Sequence, residues 1–318
     1  MKTTYHIAFV GLGSIGKRHL KNLTEILLNR GDSFTIDAYR YSDSTTLPPD
    51  IKSLLSNEYL LSNPLPNNAV YDIVFVTNPT SKHWDTVQKF KNHTRSFFIE
   101  KPVFDKTDIE KNLLADLSNI LCYIACPLRY NPVIQHIKNN INCHNVYAAR
   151  AISSSYLPDW RPDTDYRQCY SAHRDMGGGV GIDLIHEWDY LTLLFGIPQK
   201  TFSIQEKISH LEIDSDDIAL YIAKAHNTMI ELHLDYFGRK SMRILDLFMP
   251  DDTIHCDIQN GSIEYLKSGK TIIFEKERNN FQVCELEHFL DILDKKIDND
   301  SDIIHAINVL KLAKGEQI

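Results

Sequence analysis

The sequence predicts an α/β domain followed by an α+β domain. The first is a doubly wound parallel sheet over residues 1–124, and the second a large, mainly antiparallel open sheet with helices over residues 125–318. Three observations predict this. Short apolar runs at Ile7–Val10, Asp72–Val76, Phe97–Ile99 and Cys122–Ala125 alternate with helix-period segments, the pattern of parallel strands covered on both faces. From Thr201 to Glu275 the texture changes to short alternating segments separated by polar turns, as in antiparallel strands with one covered face. A chain of 318 residues, 43% of them hydrophobic, is long and apolar enough for two cores.

Taken in order, Ile7–Val10 makes the first strand. Gly11-Leu12-Gly13-Ser14-Ile15-Gly16 follows, and then a helix through Arg30 with apolar residues at 20, 23, 26 and 27 and Gly31 as its stop. Strand, GxGxxG, helix is the context that turns a loose pattern into a dinucleotide fingerprint: the glycines make a tight turn and let backbone amides approach a pyrophosphate at the helix N-terminus. A methyltransferase can use a similar turn. The second strand, Phe34–Tyr39, ends in Arg40-Tyr41-Ser42. An acid here binds ribose hydroxyls and an arginine accommodates a 2′-phosphate, so Arg40 points to NADP, with Ser42 beside it as a further cofactor contact and NAD as the alternative if Asp37 holds the ribose.

After a polar, proline-bearing passage (Leu47–Asn68) comes the strand Asp72–Val76, with Thr77-Asn78-Pro79-Thr80 at its carboxyl end and His83 opening the next helix. These small polar groups suit the nicotinamide half of a cofactor and equally suit turn chemistry and capping. Phe97-Phe98-Ile99 then runs into Glu100-Lys101-Pro102, which puts Lys101 beyond the carboxyl end of a strand, where ligands collect in open α/β sheets. Pro102 restricts the backbone on which Lys101 is mounted. A capping box, Thr107 with Glu110, starts a helix, and Cys122–Ala125 is the last strand of the first domain.

In the second half Arg129-Tyr130-Asn131-Pro132 turns into a helix ending near Asn139, and Val146–Ser153 reads as a strand. A loop rich in aromatic and polar groups, Tyr156 to Arg161 with Trp160, follows. Gly177-Gly178-Gly179-Val180-Gly181 introduces a helix to Phe195; like the first glycine turn it reads as a ligand contact. On that helix Asp183, His186, Glu187 and Tyr190 form one polar stripe, and a carboxylate one turn from a histidine is an orienter-and-base pair. Strands around Ala219–Ala223, Met229–Leu234, Arg243–Phe248 and Thr271–Phe274 lead to closing helices at Phe281–Leu293 and Asp302–Lys314, the last free to pack back on the first domain.

The net charge of −8 and the lack of a long basic run argue against nucleic-acid or anionic-membrane partners. Six cysteines without a CxxC pair suggest neither a zinc site nor a disulfide framework, and no metal is expected. The glycines at 11, 13 and 16 interrupt the apolar N-terminal stretch, which reads as a strand and not a signal peptide. No apolar run reaches the ~18 residues of a membrane helix. The expected location is cytoplasmic.

Together, Gly11-Leu-Gly13-Ser-Ile-Gly16-Lys-Arg-His19, Thr77-Asn-Pro-Thr80 with His83, Glu100-Lys101-Pro102, Arg129-Tyr130-Asn131-Pro132 and Gly177-Gly-Gly-Val-Gly-Ile-Asp183-Leu-Ile-His186 resemble the glucose–fructose oxidoreductase / inositol dehydrogenase / rhizopine catabolism (Gfo/Idh/MocA) family. The resemblance runs essentially end to end. It implies a Rossmann domain, an α+β domain whose open sheet often serves as a subunit interface, and an active site between them. It implies NAD(P)-dependent oxidation or reduction of a sugar, amino sugar or nucleotide sugar by a homodimer or homotetramer. Lys101 matches the family's catalytic lysine and Asp183 its carboxylate. The family's histidine often lies four residues after the aspartate, where this chain has Glu187; His186, three after, is the expected proton carrier. Arg129 is expected to bind substrate or cofactor phosphates, and Tyr156, Trp160, Arg161 and Glu187 to contact substrate. Two other readings stay open: a non-catalytic NADP(H)-sensing regulator, and a reductase of a non-sugar ring or imine.

Overall fold

The computed structural model describes residues 3–42, 44, 46–67, 69–109, 111–275 and 279–318, without the side chains of 111–113. Two compact units divide the chain: Met1–Pro127 with Gln282–Ile307, and Leu128–Phe281 with Asn308–Ile318.

The first unit contains β1 (Thr4–Val10), α1 (Ser14–Arg30), β2 (Ser33–Arg40), α2 (Pro49–Lys52), β3 (Asn57–Leu60), β4 (Ile73–Val76), α3 (His83–Phe90), β5 (Ser96–Ile99), α4 (Lys111–Asp116) and β6 (Leu121–Ile124). All strands pair in parallel, in the order β3-β2-β1-β4-β5-β6. This is the doubly wound Rossmann order with its switch point beside β1. β1, β4 and β5 are nearly continuous apolar runs because helices cover both faces: Phe9, Phe75 and Phe98 are fully buried, and the rings of Phe9 and Phe75 stack at 4.4 Å. Gly31 ends α1 in the left-handed region, φ 73°.

The edge strand β3 lies within the polar, proline-bearing passage from Leu47 to Asn68. It has only one neighbour, Asp37–Arg40 of β2, and so Asn57-Glu58-Tyr59-Leu60 needs no two-sided apolar pattern to form it. The expected capping box at Thr107 depends on Glu110, which lies outside the described residues.

The second unit contains α5 (Pro132–Asn140), β7 (Ala148–Tyr156), α6 (Val180–Asp183), α7 (His186–Phe195), β8 (Lys200–Glu206), β9 (Ile218–Ala225), β10 (Thr228–Asp235), β11 (Phe237–Phe248), β12 (Thr253–Asp257), β13 (Ser262–Tyr265) and β14 (Lys270–Ile273). These strands form one sheet, β14-β13-β12-β11-β7-β10-β9-β8, antiparallel throughout except for the central β7·β10 pair. One face packs on α6 and α7 through Trp188, whose ring meets Tyr221 edge-on at 5.3 Å. Two closing helices complete the chain, α8 (Asn280–Leu293) and α9 (Ile303–Ala313). Leu286, Phe289 and Leu290 of α8 belong to the core of the first unit, with Phe289 edge-on to Phe98 at 5.2 Å.

The single helix expected from the glycine run to Phe195 is broken. Leu184 has φ −95° and ψ 28°, and the bonds Ile185 N–H to Ile182 O and Glu187 N–H to Leu184 O span three residues instead of four. The tightened turn rotates everything after it, so Asp183 ends α6 and His186 opens α7. Among the described residues, no helix is long and apolar enough to cross a membrane.

Candidate functional site

In the first unit the site is set by register. Val10, Val76 and Ile99 are aligned across β1, β4 and β5, so Gly11, Thr77 and Glu100 leave the sheet at one level. Backbone bonds continue the alignment past the strand ends, Thr77 N–H to Val10 O and Glu100 N–H to Val76 O, each 3.0 Å.

Each glycine of the first turn has its own reason. Gly11 sits at φ +91°, and a Cβ there would stand 2.7 Å from Cα of Asn78. A Cβ on Gly16 would strike the Gly11 carbonyl and come within 2.7 Å of Thr77 Oγ1. At Gly13 nothing lies within 4 Å of that position, so its surface is open where the others are packed. Gly13 caps α1 without a side chain, and Ser14 and Ile15 begin it, leaving first-turn amides available to an anion. This cradle fits the pyrophosphate of a dinucleotide.

Thr77 hydroxyl donates to the Gly11 carbonyl at 2.5 Å. Asn78 amide nitrogen donates to the hydroxyls of Tyr41 and Thr86 at 2.8 Å each, while its Oδ1 is buried without a partner among the described residues. Pro79 and Thr80 form the exposed to half-buried turn that follows. His83 is buried, not open to a ligand: one ring nitrogen lies 2.9 Å from the Asn78 carbonyl and the other 3.1 and 3.2 Å from the carbonyls of Pro102 and Val103. Burial lowers its pKa, with the carbonyl contacts opposing.

At the end of β2, Arg40 Nη1 donates to Glu58 at 3.0 Å and Ser42 is exposed, bonded to Ser44. Asp37 accepts from Tyr71 hydroxyl and from the Asn57 amide, both at 2.9 Å, which commits both its oxygens to the sheet edge. At the end of β5, Glu100 lies 2.5 Å from buried His19, and Lys101, half-buried, precedes a cis bond to Pro102.

In the second unit, Asp183 is buried and accepts a 2.6 Å hydrogen bond from the Tyr236 hydroxyl. Burial first and the Asp183 charge second push the phenols of Tyr236 and Tyr170 well up, so both stay protonated donors. Trp160 stands edge-on to Tyr236 at 5.3 Å with its indole N–H on Ser155, and Arg161 continues that loop. The Tyr156 ring is covered by the Arg239 guanidinium at 3.9 Å. Thus Asp183 and Trp160 meet through Tyr236, a residue that no motif singles out; its only signal is its place just after β10. His186 is half-buried at the first turn of α7.

Three expectations change. Glu187 is fully buried with Oε1 on Arg243 at 2.7 Å, so it belongs to the interior and not to a substrate surface. Arg129 is 2% exposed and forms two bonds to Asp189, 2.8 and 2.6 Å, a structural pair in place of a phosphate contact. In the second glycine run two glycines pack on the chain itself: a Cβ on Gly178 would strike carbonyls at 170, 171 and 173, and one on Gly181 would lie 2.6 Å from Ala313 O and Tyr221 hydroxyl, while Gly177 and Gly179 take positive φ, +82° and +135°, with more open surroundings.

No protein-family model and no curated protein matches the chain. Solved structures share its fold. UDP-N-acetylglucosamine 3-dehydrogenase from Acidithiobacillus ferrooxidans aligns at TM-score 0.77 and 18% identity over 98% of this chain and 96% of its own. An NAD-binding oxidoreductase from Klebsiella pneumoniae aligns at TM-score 0.82 and 11% identity, with the same coverage. A levoglucosan dehydrogenase in complex with NADH and levoglucosan gives 0.80 and 11%, covering 98% of this chain and 96% of that one.

Proposed function

We propose that this chain is an NAD(P)-dependent oxidoreductase of the Gfo/Idh/MocA type, moving a hydride between a nicotinamide and a secondary alcohol or ketone of a sugar, amino sugar or nucleotide sugar. The observation that carries the reading is the aligned strand edge: an open, glycine-lined helix N-terminus at Gly13 and a lysine at the end of β5 leave one sheet at one level. Two structural neighbours, a UDP-N-acetylglucosamine 3-dehydrogenase and a levoglucosan dehydrogenase, support it. A bound dinucleotide supplies the hydride acceptor or donor. Gly11, Gly13, Ser14 and Gly16 would hold its pyrophosphate, and Thr77, Asn78, Pro79 and Thr80 its nicotinamide half.

In this reading Lys101 hydrogen-bonds the reacting oxygen and supplies the positive charge that a developing alkoxide needs. His186 exchanges the hydroxyl proton, and Asp183, held by Tyr236, orients the reacting groups. Trp160, Tyr156 and Arg161 would flank the sugar. The discriminating experiment is turnover: NADPH and NADH consumption with a panel of keto-sugars and nucleotide sugars. Binding of the dinucleotide with no turnover of any of them would favour a sensor instead.

For cofactor choice we keep NADP(H), with NAD(H) as the alternative. Asp37 is occupied, and Arg40 is the cation at the end of β2. Arg40→Ala should weaken NADPH binding by about 10-fold to 100-fold, the worth of a charge-assisted contact, and leave NADH binding little changed. Fluorescence titration checks this; a wild-type preference for NADH overturns it.

A second copy of the chain is the proposed partner. On the outer face of the large sheet, Phe202 lies opposite Ile222 and Ile204 opposite Leu220, with Met229 on the next strand, all exposed. A row of exposed apolar cross-strand pairs is the surface of an interface rather than of a solvated face. Ile222→Glu should lower the assembly to monomers in analytical ultracentrifugation; an unchanged mass would place the interface elsewhere.

A further inference from the structure

Lys101 carries a long, flexible side chain, and where its ammonium goes depends on how firmly the backbone at 100–103 is held. Both neighbours of Lys101 are tied down by buried histidines from different helices. On one side, Glu100 meets His19 of α1, which is 0% exposed, with the ring edge-on to Phe98 at 5.0 Å. Nδ1 of His19 is buried with no hydrogen-bond partner among the described residues, so Nε2 is the nitrogen that donates to the carboxylate. On the other side, the ring of His83 of α3 sits between the carbonyls of Pro102 and Val103, at Nδ1, and that of Asn78, at Nε2, and as a neutral imidazole donates to one side only. Neither ring is exposed, so neither can touch a substrate.

We propose that His19 and His83 are positioning residues for Lys101: His19 competes with the lysine ammonium for the Glu100 carboxylate, and His83 braces the turn that follows it. The inference gains its functional meaning from the reading of Lys101 above, but the geometry and its test do not require turnover. The groups facing Glu100 are His19 from α1, His83 from α3 and Lys101 on its own turn. Burial raises the Glu100 pKa, yet the His19 hydrogen bond and the charges of His19, Lys101 and His83 outweigh it and leave it lowered. Glu100 is therefore an anion shared between His19 and Lys101. Freed from His19, it would pair with Lys101, and an ammonium beside a free carboxylate gives up its proton less readily.

The test is competitive acetylation of the unliganded protein with acetic anhydride across a pH series, reading the Lys101 peptide by mass spectrometry. His19→Leu should move the midpoint of Lys101 acetylation up by about one pH unit. Glu100→Gln should move it down, and His19→Gln, which keeps one N–H donor, should leave it near wild type. Opposite shifts are not the result of loosened packing, which would move both variants one way. Equal midpoints in all four proteins overturn the role of His19. For His83, His83→Phe keeps the ring volume and loses the carbonyl ties; amide exchange over residues 100–104 should then speed up by about tenfold. Unchanged protection overturns that half. Lys101→Met retaining normal turnover would remove the catalytic reading while leaving these shifts standing, so the two failures are distinguishable.

Discussion

Lys101→Met is expected to lower turnover by about 10³-fold or more, within the range that removing a group acting on the transferred proton produces. NAD(P)H affinity should stay within a few-fold, because the pyrophosphate cradle is built from backbone at Gly11, Gly13 and Gly16 and not from the lysine. Methionine keeps most of the apolar stem and loses the charge, so folding should be little affected. The measurement is steady-state kinetics on the substrate found by screening, with cofactor fluorescence as the binding control. Turnover near wild type would show that Lys101 is a strand-end surface lysine. Loss of cofactor binding together with turnover would assign it to the cofactor instead.

The second large effect is on stability. Asp189→Ala removes the carboxylate that accepts two hydrogen bonds from Arg129, a pair 2% and 4% exposed at the side chains. Leaving a buried guanidinium without its carboxylate costs about 3–5 kcal/mol. Asp189→Asn, which keeps the shape and one acceptor, should cost clearly less. Urea denaturation of both variants tests this. A loss below about 1 kcal/mol for the alanine variant, the level of a surface pair, would mean that Arg129 finds solvent or another acceptor, and would return it to the list of ligand contacts.

Arg129 also shows where reading by motif has its limit. Arg129-Tyr130-Asn131-Pro132 was legible as a turn into a helix, and Asn131 does cap α5 through its side chain onto Val133 N–H. What could not be read is the partner: Asp189 is sixty residues away in the chain and lies on a different helix. Glu187 is the same case, since its partner Arg243 is 56 residues away on β11. A charged residue in a promising motif looks the same in the sequence whether it faces a substrate or a buried counter-ion. The break between α6 and α7 was hidden for a related reason. Leu184 is a good helix former and neither glycine nor proline follows it, so a non-helical ψ at Leu184 has no local signal.

By itself the sequence determined the two-part architecture, the parallel, doubly wound character of the first sheet, the glycine turn before α1, and the strand that delivers Glu100 and Lys101. These follow from short-range rules: apolar runs of strand length, a period of 3.6, and glycine where φ is positive or space is absent. Only the tertiary structure decided that Tyr236 holds Asp183, that His19 and His83 brace the lysine turn, and that Arg129 and Glu187 point inward. Each of those is a contact between segments far apart in the chain, and which polar groups meet is fixed by strand register and helix rotation. No local pattern of residues encodes either.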